Sequence, residues 1–314
     1  MDRFSARDGF PLASSTFGGP APRRVIIAPA TGVPRTYYER FAAWLAERGW
    51  PALTFDYRGI GDSRPEATLR GFEADMMDWA EKDLASAVDH ARSELGAEHV
   101  VIVGHSFGGQ AVGLLPNVEH VRGFVGVGAQ LGDFRLWPRP DRYAFAAAMF
   151  ALVPAFTELF GYLPGQLGVG EDLPRDVALQ WARWCTQPGY YVAGRRAPRH
   201  ERLARLSAPV RLYSIGDDRY APPRAVDALG KLLVSASVER RHLDPRAFGG
   251  AIGHFGFFRP RFADSLWPDV LQFLEETLDP ARFDERRRVA RAGDAAALDQ
   301  YMFDRRARSE APLA

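Results

Sequence analysis

The sequence predicts an α/β fold: a mostly parallel central sheet flanked by helices, with a helical lid insertion. Short apolar runs such as Val25-Ile26-Ile27-Ala28 and Val100-Val101-Ile102-Val103 alternate with longer stretches of helical periodicity. Continuous apolar runs suit strands buried on both faces, as in a parallel sheet covered by helices. The second run leads directly into Gly104-His105-Ser106-Phe107-Gly108, a Gly-x-Ser-x-Gly turn placed where a strand gives way to a helix. The alternation lapses between about residues 130 and 200 and then resumes, which marks an insertion.

In chain order, Asp8-Gly9 is a turn dipeptide between short segments and predicts an N-terminal hairpin. Val25 to Ala28, bounded by prolines, is a buried strand. Residues 36–47 place Tyr37, Phe41, Trp44 and Leu45 at helical spacing, and Gly49 lies just past the end. Pro51-Ala52-Leu53-Thr54-Phe55-Asp56 reads as the next strand. Residues 75–95 carry Met76, Trp79, Leu84, Val88 and Leu95, a long helix stopped at Gly96. Val100 to Val103 is the strand before the serine turn, and residues 121–127 are strand-like again. Residues 210–215 and 238–243 continue the rhythm, and a final helix is predicted over about 262–278.

Residues 130–200 hold Trp137, Trp181 and Trp184, many Phe and Tyr, and several prolines, with helical stretches and no clear strand. They predict a helical cap over the carboxyl edge of the sheet, where clefts of open α/β sheets lie. Such a cap supplies an apolar wall and excludes water. An exposed aromatic patch on it would serve a second copy of the chain, in a homo-oligomer, as readily as a substrate. The expected organisation is a core of residues 1–129 and 201–280, the insertion 130–200, and a C-terminal helical extension 281–314. In that extension Asp284 and Glu285 precede Arg286-Arg287-Arg288, so the basic cluster reads as a solvated helix face.

Composition narrows the function classes. The chain has 314 residues, 46% of them apolar and 25% charged, enough for one large globular core. A formal net charge of +1 provides no strong field for nucleic acid or an anionic membrane. The single cysteine, Cys185, excludes an intramolecular disulfide and reads as a small buried hydrophobe. The N-terminal residues lack the apolar stretch of a signal peptide. Residues 143–160 come closest to a membrane span, but Arg142, Pro154 and Glu158 are expected to mark or interrupt them. A cytoplasmic location is the expectation. No His/Cys cluster has zinc spacing, the Gly-Lys-Ser/Thr ending of a phosphate loop is missing, and no cofactor is called for.

The chemistry centres on Ser106. A Gly-x-Ser-x-Gly elbow forces its serine into strained geometry, lifts the hydroxyl clear of the sheet and aims the next amides at the same spot. A serine hydroxyl is a poor nucleophile until a base takes its proton, and a carboxylate usually holds that base in the right tautomer. Seven histidines are present. His105 belongs to the elbow itself, and His242 falls in or at the end of a strand. His254 lies in the glycine-bounded segment Gly253-His254-Phe255-Gly256 before the last helix. Asp217 and Asp218 follow the strand that ends at Ile215.

These elements together resemble the α/β-hydrolase superfamily. The matching parts, in order, are the Ala30-Thr31-Gly32 loop, Asp56-Tyr57-Arg58-Gly59-Ile60-Gly61-Asp62-Ser63, the Ser106 elbow and the Asp218/His254 pair. The resemblance covers about residues 1–280, with the insertion unmatched. Gly-His-Ser-Phe-Gly-Gly-Gln and His-Phe-Gly-Phe-Phe are similar to a bacterial group of predicted hydrolases without an assigned substrate. In this superfamily the acid and then the histidine follow the serine, which implies His254 as base. The loop Ile215-Gly216-Asp217-Asp218-Arg219-Tyr220-Ala221-Pro222 is similar to acid loops in which the acid precedes a proline by four positions (222 − 218 = 4). That implies Asp218, with Asp217 as the alternative. The resemblance implies backbone oxyanion donors at Phe107 and Thr31, although Pro29-Ala30 stands where many relatives carry His-Gly. Asp56 and Arg58 would tie loops together.

The activity implied is a serine hydrolase cleaving a carboxylic ester, or a thioester or small amide, through an acyl-enzyme on Ser106. An acyltransferase on the same scaffold, or a non-catalytic binding protein, are the alternatives. The partner is a small acyl substrate with an apolar group.

Overall fold

The structure, a computed structural model, describes residues 2–64, 68–168, 170–192, 198–279 and 281. The hairpin forms: β1 (Asp2–Ser5) and β2 (Pro11–Phe17) pair antiparallel across Asp8-Gly9, with Gly9 at φ 86°. The remaining strands of the main sheet are β3 (Arg23–Ala28), β4 (Ala52–Phe55), β5 (His99–His105), β6 (Val121–Val127), β9 (Pro209–Ile215) and β10 (Ser237–Leu243). Between β6 and β9, β7 (Tyr162–Leu163) and β8 (Leu173–Pro174) form a separate antiparallel ribbon. The main sheet has the order β1-β2-β4-β3-β5-β6-β9-β10. It is parallel from β4 to β10; β2 is antiparallel to both β1 and β4.

Alternate residues of each strand feed two cores. Val25, Ile27, Val101, Val103 and Val125 face α1 (Glu39–Ala46) and the last helix, packing with Phe41, Leu45, Trp267 and Phe273. Ile26, Ile102, Phe124 and Leu212 face the opposite way, among Trp79, Leu84, Val88 and Leu229. Trp79, Leu84 and Val88 belong to α2 (residues 76–93), which Asp75 caps by accepting from Asp78 N at 2.8 Å. Each large side chain so buried contributes about 1.5–3 kcal/mol. Because β3 has β4 on one side and β5 on the other, the chain reverses its winding there. The carboxyl ends of β3 and β5 therefore open a crevice, and α3 (Phe107–Val112) starts at its floor.

Residues 130–200 place two helices beyond that edge, α4 (Asp141–Phe160) and α5 (Arg175–Thr186), while α6 (Pro198–Arg205) runs back beside the segment before β6, where Arg205 meets Glu119 at 2.8 Å. Three details differ from the sequence expectation. The insertion contains the β7/β8 ribbon where no strand was expected. Helix α4 runs straight through Pro154, because the wider π-type winding of Ala148–Leu152 just before it accommodates the ring. Among the described residues α4 is the one helix long and apolar enough to cross a membrane, with a mean hydropathy of 1.6. Here it lies on the surface, with Met149, Val153 and Thr157 turned inward and Tyr143, Phe150 and Leu159 outward.

Past the insertion, α7 (Pro223–Leu232), absent from the sequence reading, follows the loop after β9. A single helical turn, α8 (Gly253–Gly256), precedes α9 (Trp267–Thr277). That last helix starts later than expected, since a separate turn occupies Pro260–Phe262. The expected extension 281–314, including Arg286-Arg287-Arg288, lies outside the described residues beyond Ala281.

Candidate active site

Strand β5 ends at His105 and α3 begins at Phe107, so Ser106 alone makes the corner. Its backbone sits at φ 50° and ψ −115°, outside the regions L-residues favour. Close packing holds it there and dictates the glycines. A Cβ on Gly104 would lie 2.5 Å from Gly109 Cα, and one on Gly108 would lie 2.0 Å from the Ala28 carbonyl oxygen. The Gln110 amide donates to Ser106 O at 3.2 Å, so helical winding begins at the serine itself. The first amides of a helix have no intrahelical acceptor, and those of Phe107 and Gly108 stand at this corner. The Phe107 ring anchors the turn between Tyr57 and Trp79, at centroid distances of 5.9 and 5.7 Å.

The loop after β9 delivers two adjacent carboxylates with different partners. Asp218 Oδ1 accepts from the amides of Tyr220 and Ala221 at 2.8 and 2.9 Å, which fixes the group. Its Oδ2 lies 2.7 Å from His254 Nδ1. An ionised carboxylate only accepts, so Nδ1 carries the proton and Nε2 keeps its lone pair. Asp217 accepts instead from the amides of Ile252 and Gly253 at 2.9 and 2.8 Å. It thereby fastens the backbone just before His254. The structure thus brings Asp218, not Asp217, to the histidine. Gly128, at φ 56°, closes the end of β6 against the pair; a Cβ there would be 3.1 Å from both Asp218 Oδ2 and His254 Nδ1. His254 sits in the helical turn α8 rather than in a loop.

Behind the corner runs a buried polar chain. The Ala30 amide donates to Tyr38 Oη at 3.0 Å, and Tyr38 Oη lies 2.8 Å from His105 Nδ1. His105 Nε2 lies 3.0 Å from the His254 carbonyl oxygen. A carbonyl only accepts, so Nε2–H donates to it and Nδ1 accepts from the tyrosine hydroxyl. Burial, and then repulsion from nearby His254 when that ring is protonated, push the His105 pKa well below its ordinary value. This neutral imidazole links the loop after β3, the elbow and the backbone of His254.

Ser106, Thr31 and His254 line one cavity of about 50 Å³. Trp137, Phe145 and Trp181 also line it, and Trp137 stacks on Phe145 at 4.4 Å. Cys185 also lines it, but burial holds the thiol protonated. Nearby, Asp56 accepts from the Arg35 amide at 2.6 Å, and Arg58 pairs with Asp8 and Asp83, each at 2.7 Å. The segment 56–63 therefore ties loops together, as expected. Three further histidines go elsewhere: His90 stacks on Phe4, His99 meets Thr277 Oγ1 and His242 meets Ser214 Oγ. Among the described residues no three His, Cys, Asp or Glu side chains gather as metal ligands.

The family model described as the alpha/beta hydrolase family matches residues 25–261, well over half of the chain. The chain belongs to this family. No curated protein sequence matches it significantly. Among solved structures it is similar to DcsB, determined in complex with its substrate analogue, at 18% identity and a TM-score of 0.62, over 88% of this chain and 98% of that one. A monoacylglycerol lipase of Paleococcus ferrophilus aligns at 17% identity and a TM-score of 0.56, over 85% and 99% of the two chains. A thermophilic esterase of Thermogutta terrifontis aligns at 16% identity and a TM-score of 0.56, over 88% and 99%. At these identities the likeness is one of fold.

Sequence reading missed Tyr38, Gly128, Gln110 and Gln130. Gln110 was within reach, since it stands four residues, one helical turn, beyond Ser106. Nothing local in the sequence marks Tyr38, whose hydroxyl joins the Ala30 amide to His105, 67 residues on.

Proposed function

We propose that this chain is a serine hydrolase acting on a carboxylic ester, or on a thioester or small amide. The observation that carries the reading is the strained Ser106 sharing a cavity with His254, whose Nδ1 lies 2.7 Å from Asp218. With Nδ1–H engaged, His254 Nε2 is the nitrogen left to take the serine proton. Ser106 Oγ attacks the acyl carbon, and the carbonyl π electrons move onto oxygen. The Phe107 and Thr31 amides receive the oxyanion, each worth about 3–4 kcal/mol in such a site. The imidazolium returns its proton to the leaving alcohol as the C–O bond breaks. A water molecule deprotonated by His254 then releases the acid from Ser106. Neutral His105 places no second positive charge beside the imidazolium formed at each step.

The insertion acts as a lid. Trp137, Phe145 and Trp181 line the small cavity beside Ser106, so their displacement would widen it for a larger substrate. Its aromatic surface favours an apolar group on that substrate. A fluorophosphonate probe tests the reading directly. Labelling of the wild type that is lost in Ser106→Ala and in His254→Ala supports it, followed by turnover of activated esters across acyl lengths. A folded wild-type protein that neither labels nor turns over any ester overturns it.

A further inference from the structure

Gln110 lines the cavity one helical turn beyond Ser106, with its side chain 3% exposed. Its Nε2 donates to Gln130 Oε1 at 3.2 Å, and Gln130 Nε2 donates to the Tyr220 carbonyl oxygen at 3.0 Å. The second bond fixes the first. A carbonyl only accepts, so the nitrogen of Gln130 faces Tyr220 and its oxygen faces Gln110. Gln110 must then present its nitrogen to Gln130, which leaves Gln110 Oε1 as a buried acceptor that no protein group satisfies. Buried acceptors normally have a donor, and one left without a partner beside a reaction centre calls for an explanation. The rest of the wall near it is aromatic: Trp137, Phe145 and Trp181.

We infer that Gln110 Oε1 selects substrates that carry a hydroxyl or N–H donor close to the scissile bond, resting on the hydrolase reading above. Side chains one helical turn apart stand about 5–6 Å apart at Cβ, and Gln110 Oε1, sealed in this structure, meets such a donor once the neighbouring wall of Trp137, Phe145 and Trp181 is displaced. The substrate class is a hydroxylated or amido-substituted ester of otherwise apolar character, rather than a plain alkyl ester. The Gln110–Gln130–Tyr220 chain ties this specificity to the loop that holds Asp218, so the acceptor is held rigidly.

Two matched ester pairs test this. On the acyl side, p-nitrophenyl butyrate is compared with its β-hydroxybutyrate analogue; on the alcohol side, ethyl butyrate is compared with ethylene glycol monobutyrate. The expected result is a kcat/KM preference on the order of tenfold for the hydroxylated member of at least one pair, falling to near unity in Gln110→Met. The wild-type ratio alone decides the matter should the variant fail to fold. The same pairs are titrated against Ser106→Ala, with Trp137 and Trp181 fluorescence reporting binding. A binding preference without wild-type turnover upholds the donor site and sinks the hydrolase reading. Turnover with ratios near unity in both pairs upholds the hydrolase and overturns the donor site. An absence of binding by every ester overturns the donor site as well.

Discussion

Replacing Gly108 with alanine drives a methyl group into the backbone of β3. Its carbon would lie 2.0 Å from the Ala28 carbonyl oxygen, 2.5 Å from the carbonyl carbon and 2.7 Å from the Pro29 oxygen. An ordinary C···O contact needs about 3.3 Å, so helix α3 has to retreat from the strand by about 1.3 Å. No flexible side-chain end is available to yield, and the cost falls at the upper end for overpacking, about 3 kcal/mol. For a chain of this size that lowers Tm by about 5 °C in a thermal scan. The same retreat pulls the Phe107 amide away from the carbonyl it would polarise, and a displacement near 1 Å costs about a hundredfold in rate. Gly19→Ala is the control, since its added carbon meets nothing within 4 Å. A Gly108→Ala protein with wild-type Tm and full turnover of an activated ester would refute the reasoning.

The two adjacent carboxylates should separate by assay. Asp218→Asn reduces kcat on the order of 10⁴-fold with little loss of Tm, because an amide no longer fixes the imidazole tautomer. Asp217→Ala costs about 1–2 kcal/mol of stability for the part-buried Ile252 amide and the exposed Gly253 amide it releases and a far smaller loss of kcat; comparable kcat losses would contradict the assignment. His105 sets a pH dependence of stability. Its folded-state pKa lies below the ordinary value of 6.5, so the unfolded chain binds the proton first. Its contribution is therefore full above about pH 6.5 and declines by up to about 1.4 kcal/mol per unit as pH falls below that. Denaturant titrations from pH 7.5 downward should show a steeper decline for wild type than for His105→Phe; parallel curves would count against a buried neutral imidazole. Asp56→Ala removes the buried acceptor of the Arg35 guanidinium and of the Arg35 and Asp62 amides while leaving Arg35 paired with Asp62 at 2.7 Å, and should cost about 1–3 kcal/mol in chemical denaturation, with a near-neutral result ruling out a structural role for Asp56.

Much of this molecule was legible from local pattern. The apolar runs at Val25 and Val100, the periodicity of residues 75–95 and the Gly-x-Ser-x-Gly turn each encode their structure within a dozen residues, because strand burial, helix amphipathicity and tight turns are short-range demands. The sequence by itself thus determined the alternating layers, the position of Ser106 at a strand-to-helix corner, and two candidate acids and a histidine in the right chain order. Only the tertiary structure decided which carboxylate reaches His254. Asp217 and Asp218 are chemically identical neighbours, and their roles divide because the loop turns one toward the imidazole and the other toward the backbone of residues 252 and 253. It also decided that α4 continues through Pro154. The chains Ala30–Tyr38–His105–His254 and Gln110–Gln130–Tyr220 likewise exist only once segments up to 149 residues apart meet. Hydrogen bonds across such separations depend on geometry that the whole sheet and its packing set, and no local pattern records it.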